Sequence, residues 1–182
     1  MKLLVRKLWF PFSVEESIDA LFKIPQVGEV FNEDWAYDGE MIPRGFKLGP
    51  LYWSADKILE KMPFSETDIY LVITSTDIKR DKDYIDPKYD ETVHRVHGMG
   101  KNRKALATNC SFIGGDKIKI FNPNYVDFNA IVFGEIGHAL GLDHHEFDPS
   151  NPCNMSHSDR PRAEWTHLED IRFCSNCYQK IR

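Results

Sequence analysis

Apolar residues recur along this chain with two different periods, which predict strands in some segments and helices in others. Residues 69–74 are apolar or β-branched at nearly every position, as expected of a central strand that is covered on both faces. Residues 3–9 also predict a strand, and Pro11 ends it. From 125 to 140 the apolar residues return at helical spacing, which predicts one long helix. This alternation of strands and helices indicates a mixed α/β fold.

Two shorter helices are marked by the residues that begin them. Ser13 and Glu16 form a capping-box pattern before a helical segment that stops ahead of Pro25. Ser54 is placed to cap another helix, which is expected to run to about Lys61. The other predicted elements are a strand at 27–31, a long surface loop at 34–50, a polar connection at 94–104, a strand at 105–113 and a short ambiguous segment at 117–121.

The end of the long helix carries a zinc-protease pattern from which one ligand is missing. The pattern HExxHxxGxxH is matched by Glu135, His138, Gly141 and His144, but Gly134 stands where the first histidine is required. Positions four apart share one helix face, so residues 134 and 138 face the same point, and Glu135 projects to where it can take a proton from water on the metal. Gly141 permits the positive φ with which the chain can turn and return a further imidazole to the ion.

Residues downstream make the pattern more specific. His145 follows the motif at once, Cys153 and Met155 come next, and Cys174 and Cys177 form a CxxC pair near the end. This arrangement resembles the archaemetzincin family, in which the long zinc motif is followed by a four-ligand cysteine cluster and by a methionine two residues after the second ligand. His145 stands where that family has its first structural cysteine, and the gap to Cys153 is longer than in the family. Both departures are chemically mild, because imidazole is also a good zinc ligand and a longer loop closes at little extra entropic cost.

The resemblance implies two zinc sites. A catalytic zinc would be held incompletely, by His138 and His144, with Glu135 as the general base of peptide-bond hydrolysis. A structural zinc would have a closed Cys3His set of ligands. Those ligands would be His145, Cys153, Cys174 and Cys177. Two simpler alternatives stay open: the C-terminal cysteines are ordinary buried thiols with a surface histidine nearby, and Met155, which resembles the methionine of the turn beneath the metal, only fills an apolar gap.

The resemblance also implies a fold. It is the metzincin-like zincin fold, an α/β architecture with a twisted mixed sheet, an active-site helix and a small C-terminal subdomain tied by zinc. We expect one metallopeptidase-like domain over residues 1–182, with the sheet and helices in residues 1–141 and the C-terminal subdomain in residues 142–182. The strand at 105–113 would be the sheet edge that binds an extended peptide or protein substrate by β-addition.

Composition excludes several other classes of protein. The 182 residues are 42% hydrophobic, which is enough for one substantial core. A net charge of −5 argues against a nucleic-acid partner, and no stretch approaches the roughly 20 apolar residues of a membrane span. Of the 4 cysteines, Cys110 is predicted to be a core thiol on a strand and the others are assigned to metal. This usage indicates a reducing compartment, and we expect the protein to be cytoplasmic.

The missing side chain at Gly134 decides which chemistry to expect. If a complete four-ligand site is worth about 10–16 kcal/mol, one lost ligand should cost on the order of 3 kcal/mol, roughly a hundredfold in zinc affinity. Another imidazole could enter the site, and the available ones are His94, His97 and His157. Each of them is also explained as a solvated or hydrogen-bonded histidine. His167 lies beside two carboxylates, where packing or a surface ion pair is expected.

Two functions therefore stand side by side. The first is an archaemetzincin-like zinc metallopeptidase whose catalytic site is impaired, so that one structural zinc is firmly held and the catalytic ion is weakly held or absent. The second is an inactive pseudo-protease that keeps the structural zinc alone and binds peptide or a protein partner without cutting. A zinc-ribbon module for nucleic acid is disfavoured because the chain is acidic and retains Glu135.

Overall fold

A computed structural model of the chain describes residues 1–42, 45, 53–81, 95–112, 118–120, 122, 125–156 and 165–182. Its helices are α1 (Val14–Leu21), α2 (Pro25–Phe31), α3 (Ala55–Lys61), α4 (Val126–Ala139) and α5 (Ser175–Ile181), with a 3-10 turn at Leu168–Asp170. Its strands are β1 (Leu3–Leu8), β2 (Trp35–Glu40), β3 (Trp53–Ser54), β4 (Ile69–Thr74), β5 (Ile78–Lys79), β6 (Arg95–Val96), β7 (Gly98–Lys101), β8 (Lys104–Thr108), β9 (Cys110–Phe112) and β10 (Ile118–Ile120). Within these residues no helix combines the length and the apolar character needed to cross a bilayer.

The main sheet has five strands in the order β2-β1-β4-β8-β7. Its first four strands run parallel, and β7 runs antiparallel to β8, so that the sheet is mixed and β7 forms one of its edges. Parallel neighbours need crossover connections, and α1 and α2 lie in the connection from β1 to β2 while α3 lies between β2 and β4. Two smaller sheets pair β9 with β10 and β3 with β5 and β6. The predicted α/β class with a mixed sheet is confirmed.

Both faces of this sheet are covered, as the apolar pattern of residues 69–74 predicts. Alternate side chains of a strand point to opposite faces. Leu71 belongs to the larger core cluster, with α1, α2 and α4, whereas Val72 belongs to the cluster around α3. The larger cluster also includes the C-terminal segment, where the ring of Phe173 stacks on Phe133 of α4 with centroids 3.9 Å apart. The helix that carries the zinc-protease pattern is therefore fixed between the sheet and the end of the chain.

The helix α4 lies within the predicted bounds of 125–140 and ends in a tight reversal. Gly141 has a φ of +88°, as its place in the motif predicts. Its N–H donates to the carbonyl of His138 at 3.0 Å, and the N–H of Leu142 donates to the carbonyl of Gly137 at 2.9 Å. These two bonds make a Schellman ending, in which a residue with positive φ satisfies the last helical carbonyls and turns the chain back. The prediction for Gly141 is confirmed.

Hydrogen bonds from two other segments hold the C-terminal segment in place. The carboxamide of Gln26, in α2, accepts the N–H of Phe173 at 2.6 Å and donates to the carbonyl of the same residue at 3.1 Å. The backbone N–H of Asn154 donates to the carbonyl of Arg172 at 2.8 Å. Because these groups are largely removed from water, each bond fixes the position of two chain segments that are far apart in sequence.

Two predictions for the first third of the chain are wrong. Residues 27–31 were expected to form a strand but belong to α2, because Pro25 starts a helix there instead of only ending one. Val27 and Phe31 lie four residues apart and are both buried, which is the spacing of a helix face. The predicted loop at 34–50 contains the edge strand β2, which pairs in parallel with β1. Residues 43–44 and 46–50 of that loop lie outside the described residues.

The predictions around the other sheet edge also need correction. The polar connection at 94–104 contains the strands β6 and β7, and its first residue, His94, lies outside the described residues. The predicted strand at 105–113 divides at Asn109 into β8 and β9, and 113 is outside the described residues. Because β8 lies between β4 and β7, it is not the sheet edge, and that role belongs to β7. In the ambiguous segment 117–121, residues 118–120 form β10 and the two flanking residues are not described.

Candidate metal centres

His138 and His144 bring their imidazole rings together at the C-terminal end of α4. Their Nε2 atoms lie 3.1 Å apart, and the ring planes are inclined at 73° with centroids 4.6 Å apart. His138 is half-buried on the last turn of the helix, whereas His144 is exposed and returns toward it after the reversal at Gly141. The two side chains therefore aim the same ring nitrogen at one point, as the motif predicts.

Both rings are oriented by a backbone carbonyl through the other ring nitrogen. The Nδ1 of His138 lies 2.9 Å from the carbonyl oxygen of Leu142, and the Nδ1 of His144 lies 3.1 Å from that of Met155. A carbonyl oxygen only accepts, so each Nδ1 carries a proton, and the second nitrogen of each ring, Nε2, is the one left to bind a metal ion. At 3.1 Å the two Nε2 atoms either share a proton in a hydrogen bond or bind one metal ion. Two nitrogens on one tetrahedral zinc, each 2.0–2.1 Å from it, would be about 3.3 Å apart, so this pair fits a shared metal ion.

Glu135 is a half-buried residue of α4, and its side chain lies against the edge strand β7. A Cβ at Gly98 would come within 2.7 Å of the Oε1 of Glu135. A Cβ at Gly100 would overlap the backbone carbonyl of Glu135 and lie 2.9 Å from the Cβ of His138. Residues two apart share one face of a strand, so these two glycines together allow the edge strand to lie against the helix. The carboxylate of Glu135 therefore has the backbone of β7 as a direct neighbour.

Position 134 faces an amide and not an imidazole. Among the described residues, the group nearest to a Cβ at Gly134 is the Nδ2 of Asn154, at 3.2 Å. Of the imidazoles considered as substitutes, His97 is exposed between β6 and β7, and His94 and His157 lie outside the described residues. Entry of a further imidazole into the site therefore stays a prediction.

Four other ligand-forming side chains gather after the helix. The ligand atoms of His145, Cys153, Cys174 and Cys177 all lie within 4.8 Å of one another. The Nε2 of His145 is 3.6 Å from the Sγ of Cys174. A tetrahedral zinc with ordinary Zn–N and Zn–S distances would place two such atoms about 3.6 Å apart. The three cysteines are buried and reduced, so the donor set, the spacing and the burial all fit a structural zinc ion.

Local backbone structure explains why these four residues meet. The N–H of His145 donates to the carbonyl of Met155 at 3.0 Å, which holds the two ends of the loop together. The Sγ of Cys153 accepts the N–H of Cys174 at 3.1 Å. Cys174 is the N-cap of α5 and Cys177 lies in its first turn, so the CxxC pair starts a helix. Backbone N–H groups aimed at the sulfurs favour thiolates there.

Without a metal, the three thiols compete for negative charge. Burial raises the pKa of Cys153, and burial together with the charge of Cys153 raises the pKa of Cys177 above its ordinary value. Burial also acts to raise the pKa of Cys174, but the backbone N–H of Cys177 and hydrogen bonds from the other thiols outweigh it, so that this pKa is lowered. A divalent cation would compensate all three charges, and its binding must displace protons from Cys153 and Cys177.

The remaining candidate residues are not among the ligands of these centres. Cys110 is a buried thiol of β9 that is not part of the cluster, as predicted. The buried Met155 packs its sulfur 2.8 Å from where a Cβ at Gly137 would lie, and it orients His144 through its carbonyl. Its assignment to a turn beneath the metal stays a prediction. The backbone N–H of His167 donates to the carboxylate of Asp170 at 3.1 Å.

Sequence reasoning missed three residues that shape the first centre. Gly98 and Gly100 were assigned to a loop, although glycines at alternate positions are also the pattern of a strand that lies close to another element. Asn154 was treated only as part of the cysteine segment. No pattern in the sequence indicates that its side chain reaches the helix, because that contact joins residues 24 positions apart.

The sequence matches no family model, and a comparison with curated proteins found no match. Its fold is nevertheless similar to solved structures. An archaemetzincin from Archaeoglobus fulgidus, solved with malonate, matches with a TM-score of 0.63 at 18% identity, covering 99% of each chain. An archaemetzincin from Methanopyrus kandleri matches with a TM-score of 0.62 at 18% identity, covering 100% of this chain and 93% of that one. A zinc-dependent peptidase from Methanocorpusculum labreanum matches with a TM-score of 0.57 at 16% identity, over 98% and 100% of the two chains.

These similarities extend over nearly the whole chain and not only over the helix that carries the motif. At such low identity they concern the arrangement of the backbone, and a shared backbone alone does not establish a shared reaction. The predicted metzincin-like architecture is confirmed. This chain has the archaemetzincin fold.

Proposed function

We propose that this protein is a zinc-dependent peptidase with a catalytic site weakened by the loss of one ligand. The observation that carries the proposal is the approach of the Nε2 atoms of His138 and His144 to 3.1 Å, the separation of two nitrogens on one zinc ion. Glu135 lies on the same helix, three residues before His138, where the motif has its general base. The similar folds of two archaemetzincins and a zinc-dependent peptidase support the same reading.

Three residues of the chain would have separate roles in hydrolysis. His138 and His144 would hold the ion, and the carbonyls that accept from each Nδ1 would leave each Nε2 to bind it. Zinc bound there would lower the pKa of water toward neutrality and polarise a peptide carbonyl. Glu135 would accept the proton of the attacking water and pass it to the leaving amine. Its place against β7 puts this proton acceptor beside the edge of the sheet.

The edge strand β7 would bind the substrate. It ends the main sheet within the described residues, and an edge strand offers backbone groups to which an extended peptide can add. An extended peptide or protein segment along β7 would pass over Glu135 and His138, which lie against the glycines of this strand. The substrate class we propose is therefore an extended polypeptide, recognised mainly through its backbone.

A second zinc ion would be structural, held by the cluster of three cysteines and His145. A closed set of four protein ligands leaves no open position for chemistry, so this ion would join the loop after α4 to the first turn of α5. Since the loop also orients His144 through Met155, the structural ion would support the catalytic one.

One observation favours a second candidate, a pseudo-protease without a catalytic ion. Gly134 offers no ligand, and the amide of Asn154 is the nearest group to its missing side chain. In that case the fold and the structural zinc would remain, and β7 would bind a peptide or protein partner without cutting it. Glu135 would then have no catalytic role.

Hydrolysis of unstructured peptides by zinc-loaded protein separates the two candidates. We expect slow, chelator-sensitive cleavage that increases with added zinc, because the catalytic site is weakened but keeps its base. Glu135→Gln is the matched control: it keeps the size of the side chain and the zinc content but removes the proton acceptor, so cleavage should be lost. No chelator-sensitive cleavage at high protein concentration, or cleavage that Glu135→Gln retains, would contradict the proposed peptidase.

A further inference from the structure

The residues that follow one face of α4 suggest a reason for the glycine at position 134. Ala130, Gly134 and His138 lie at four-residue intervals and therefore form one row along the helix. The side chain of Asn154 reaches this row from the loop, and its Nδ2 donates to the carbonyl of Ala130 at 2.7 Å. The same Nδ2 lies 3.2 Å from the place of a Cβ at Gly134. The amide is therefore wedged beside the helix one turn before His138.

Asn154 is built into the structure and does not lie loosely at the surface. It is 4% exposed, and its backbone N–H is bonded to the carbonyl of Arg172. A buried amide that donates to a helical carbonyl is costly to remove, because the carbonyl and the loop both lose a partner. The residue after it, Met155, provides the carbonyl that orients His144. Asn154 thus joins the helix that carries His138 to the loop that orients the other ring.

The amide also limits what position 134 can hold. A Cβ at 3.2 Å from a nitrogen is closer than side chains ordinarily pack, so the Asn154 amide would have to give way and its bond of 2.7 Å would be strained. Gly28, in α2, is a useful contrast, because a Cβ there would meet no described atom within 4 Å. A glycine inside a helix is otherwise unfavourable, so its presence at 134 needs a local reason.

We propose that Gly134 and Asn154 form a matched pair. The Asn154 carboxamide packs beside the place from which the first histidine of the complete motif would leave the helix, 3.2 Å from where its Cβ would lie, and Gly134 is the residue that leaves room for it. A histidine introduced at 134 alone would press on the amide, so we expect the restored motif to bind zinc more tightly when residue 154 is shortened as well. The part of this proposal that concerns metal rests on the proposed function, whereas the packing part does not.

The packing part is tested by thermal unfolding in buffer that contains zinc. Gly28→Ala, the control, should raise the melting temperature by roughly 2–4 °C, as expected when a helical glycine gains a side chain in open space. Gly134→Ala should not raise the melting temperature of the native protein. The double variant Gly134→Ala with Asn154→Ala should melt at a higher temperature than Asn154→Ala alone. If the alanine at 154 does not fold, Asn154→Ser, which also shortens the side chain, takes its place. An equal rise from Gly134→Ala in both backgrounds would overturn the proposal.

The metal part is tested by the affinity for a second zinc ion, measured against a competing chelator. Gly134→His alone should gain little affinity over the native protein, whereas Gly134→His with Asn154→Ala should bind the second zinc at least about tenfold more tightly than the single variant. Equal gains in the single and double variants would overturn the proposal. If no variant binds a second zinc while the melting results hold, then the proposed catalytic site is wrong and the packing pair stands.

Discussion

Replacing Cys177 by serine removes one ligand from the Cys3His cluster, and the size of its effect follows from the structure. Structural zinc in small domains contributes about 10–16 kcal/mol, so one of four ligands should be worth on the order of 3 kcal/mol. That is a large share of the roughly 5–15 kcal/mol that keeps a domain folded. For a chain of this size, 3 kcal/mol corresponds to a fall of roughly 6–12 °C in melting temperature.

The assay compares zinc content after equilibration with a chelator of moderate affinity and then the melting temperature. Cys110→Ser is the matched control, because Cys110 is 3% exposed and Cys177 is 4% exposed, so both variants bury a hydroxyl in place of a thiol. Of these two cysteines, only Cys177 belongs to the cluster. We expect Cys177→Ser to hold zinc about a hundredfold more weakly than Cys110→Ser, which should keep it like the native protein.

The reasoning would be refuted if the two variants kept the same zinc content and melted at the same temperature. In that case the cost would come from burying a hydroxyl, and the approach of the four ligand atoms would be a consequence of packing alone. A loss of zinc from Cys110→Ser but not from Cys177→Ser would also place the ion elsewhere in the chain.

Three further predictions use other parts of the structure. Because the pKa values of Cys153 and Cys177 are raised, zinc binding must release at least two protons. The zinc affinity of the cluster should therefore fall by about a hundredfold for each pH unit below those pKa values, and chelator competition across a pH series would measure this fall. Gly100→Ala should destabilise the protein by about 1–3 kcal/mol in urea unfolding, because its Cβ would overlap the backbone carbonyl oxygen of Glu135, which cannot rotate away. His144→Ala should abolish binding of the second, weaker zinc and leave the first in place, as zinc stoichiometry would show.

The sequence predicts best where one local pattern is sufficient. The apolar spacing in α4, the positive φ at Gly141 and the covered strand β4 each follow from neighbouring residues, and the structure has all three. The grouping of the zinc-protease residues at the helix end could be anticipated for the same reason, since His138 and His144 are only six positions apart.

The sequence predicts poorly where one residue has two local meanings. Pro25 ends helices in some contexts and begins them in others, and only the packing of Val27 and Phe31 decides for a helix here. Gly98 and Gly100 suggest a loop until α4 is seen to lie against them. The glycines then allow α4 and β7 to pack closely, and this role depends on the tertiary fold and not on the local sequence.

The role of Asn154 could not be predicted at all, because it depends on tertiary contact. Its side chain reaches Ala130 across 24 positions of sequence, and its neighbour Met155 holds His144 through a backbone carbonyl that any residue type could provide. From sequence alone, Gly134 is only a lost ligand. In the structure, Gly134 also leaves space for the buried amide of Asn154. A histidine restored at position 134 is therefore expected to press on this amide.

The central claim, that a metal ion lies between His138 and His144, is tested most directly by X-ray diffraction at the zinc absorption edge from crystals equilibrated with excess zinc. The account predicts two anomalous peaks: a strong one within the Cys3His cluster and a weaker one shared by the two Nε2 atoms, which should disappear in crystals of His144→Ala. A single peak at the cluster, with the two rings parted or joined only by water, would contradict it.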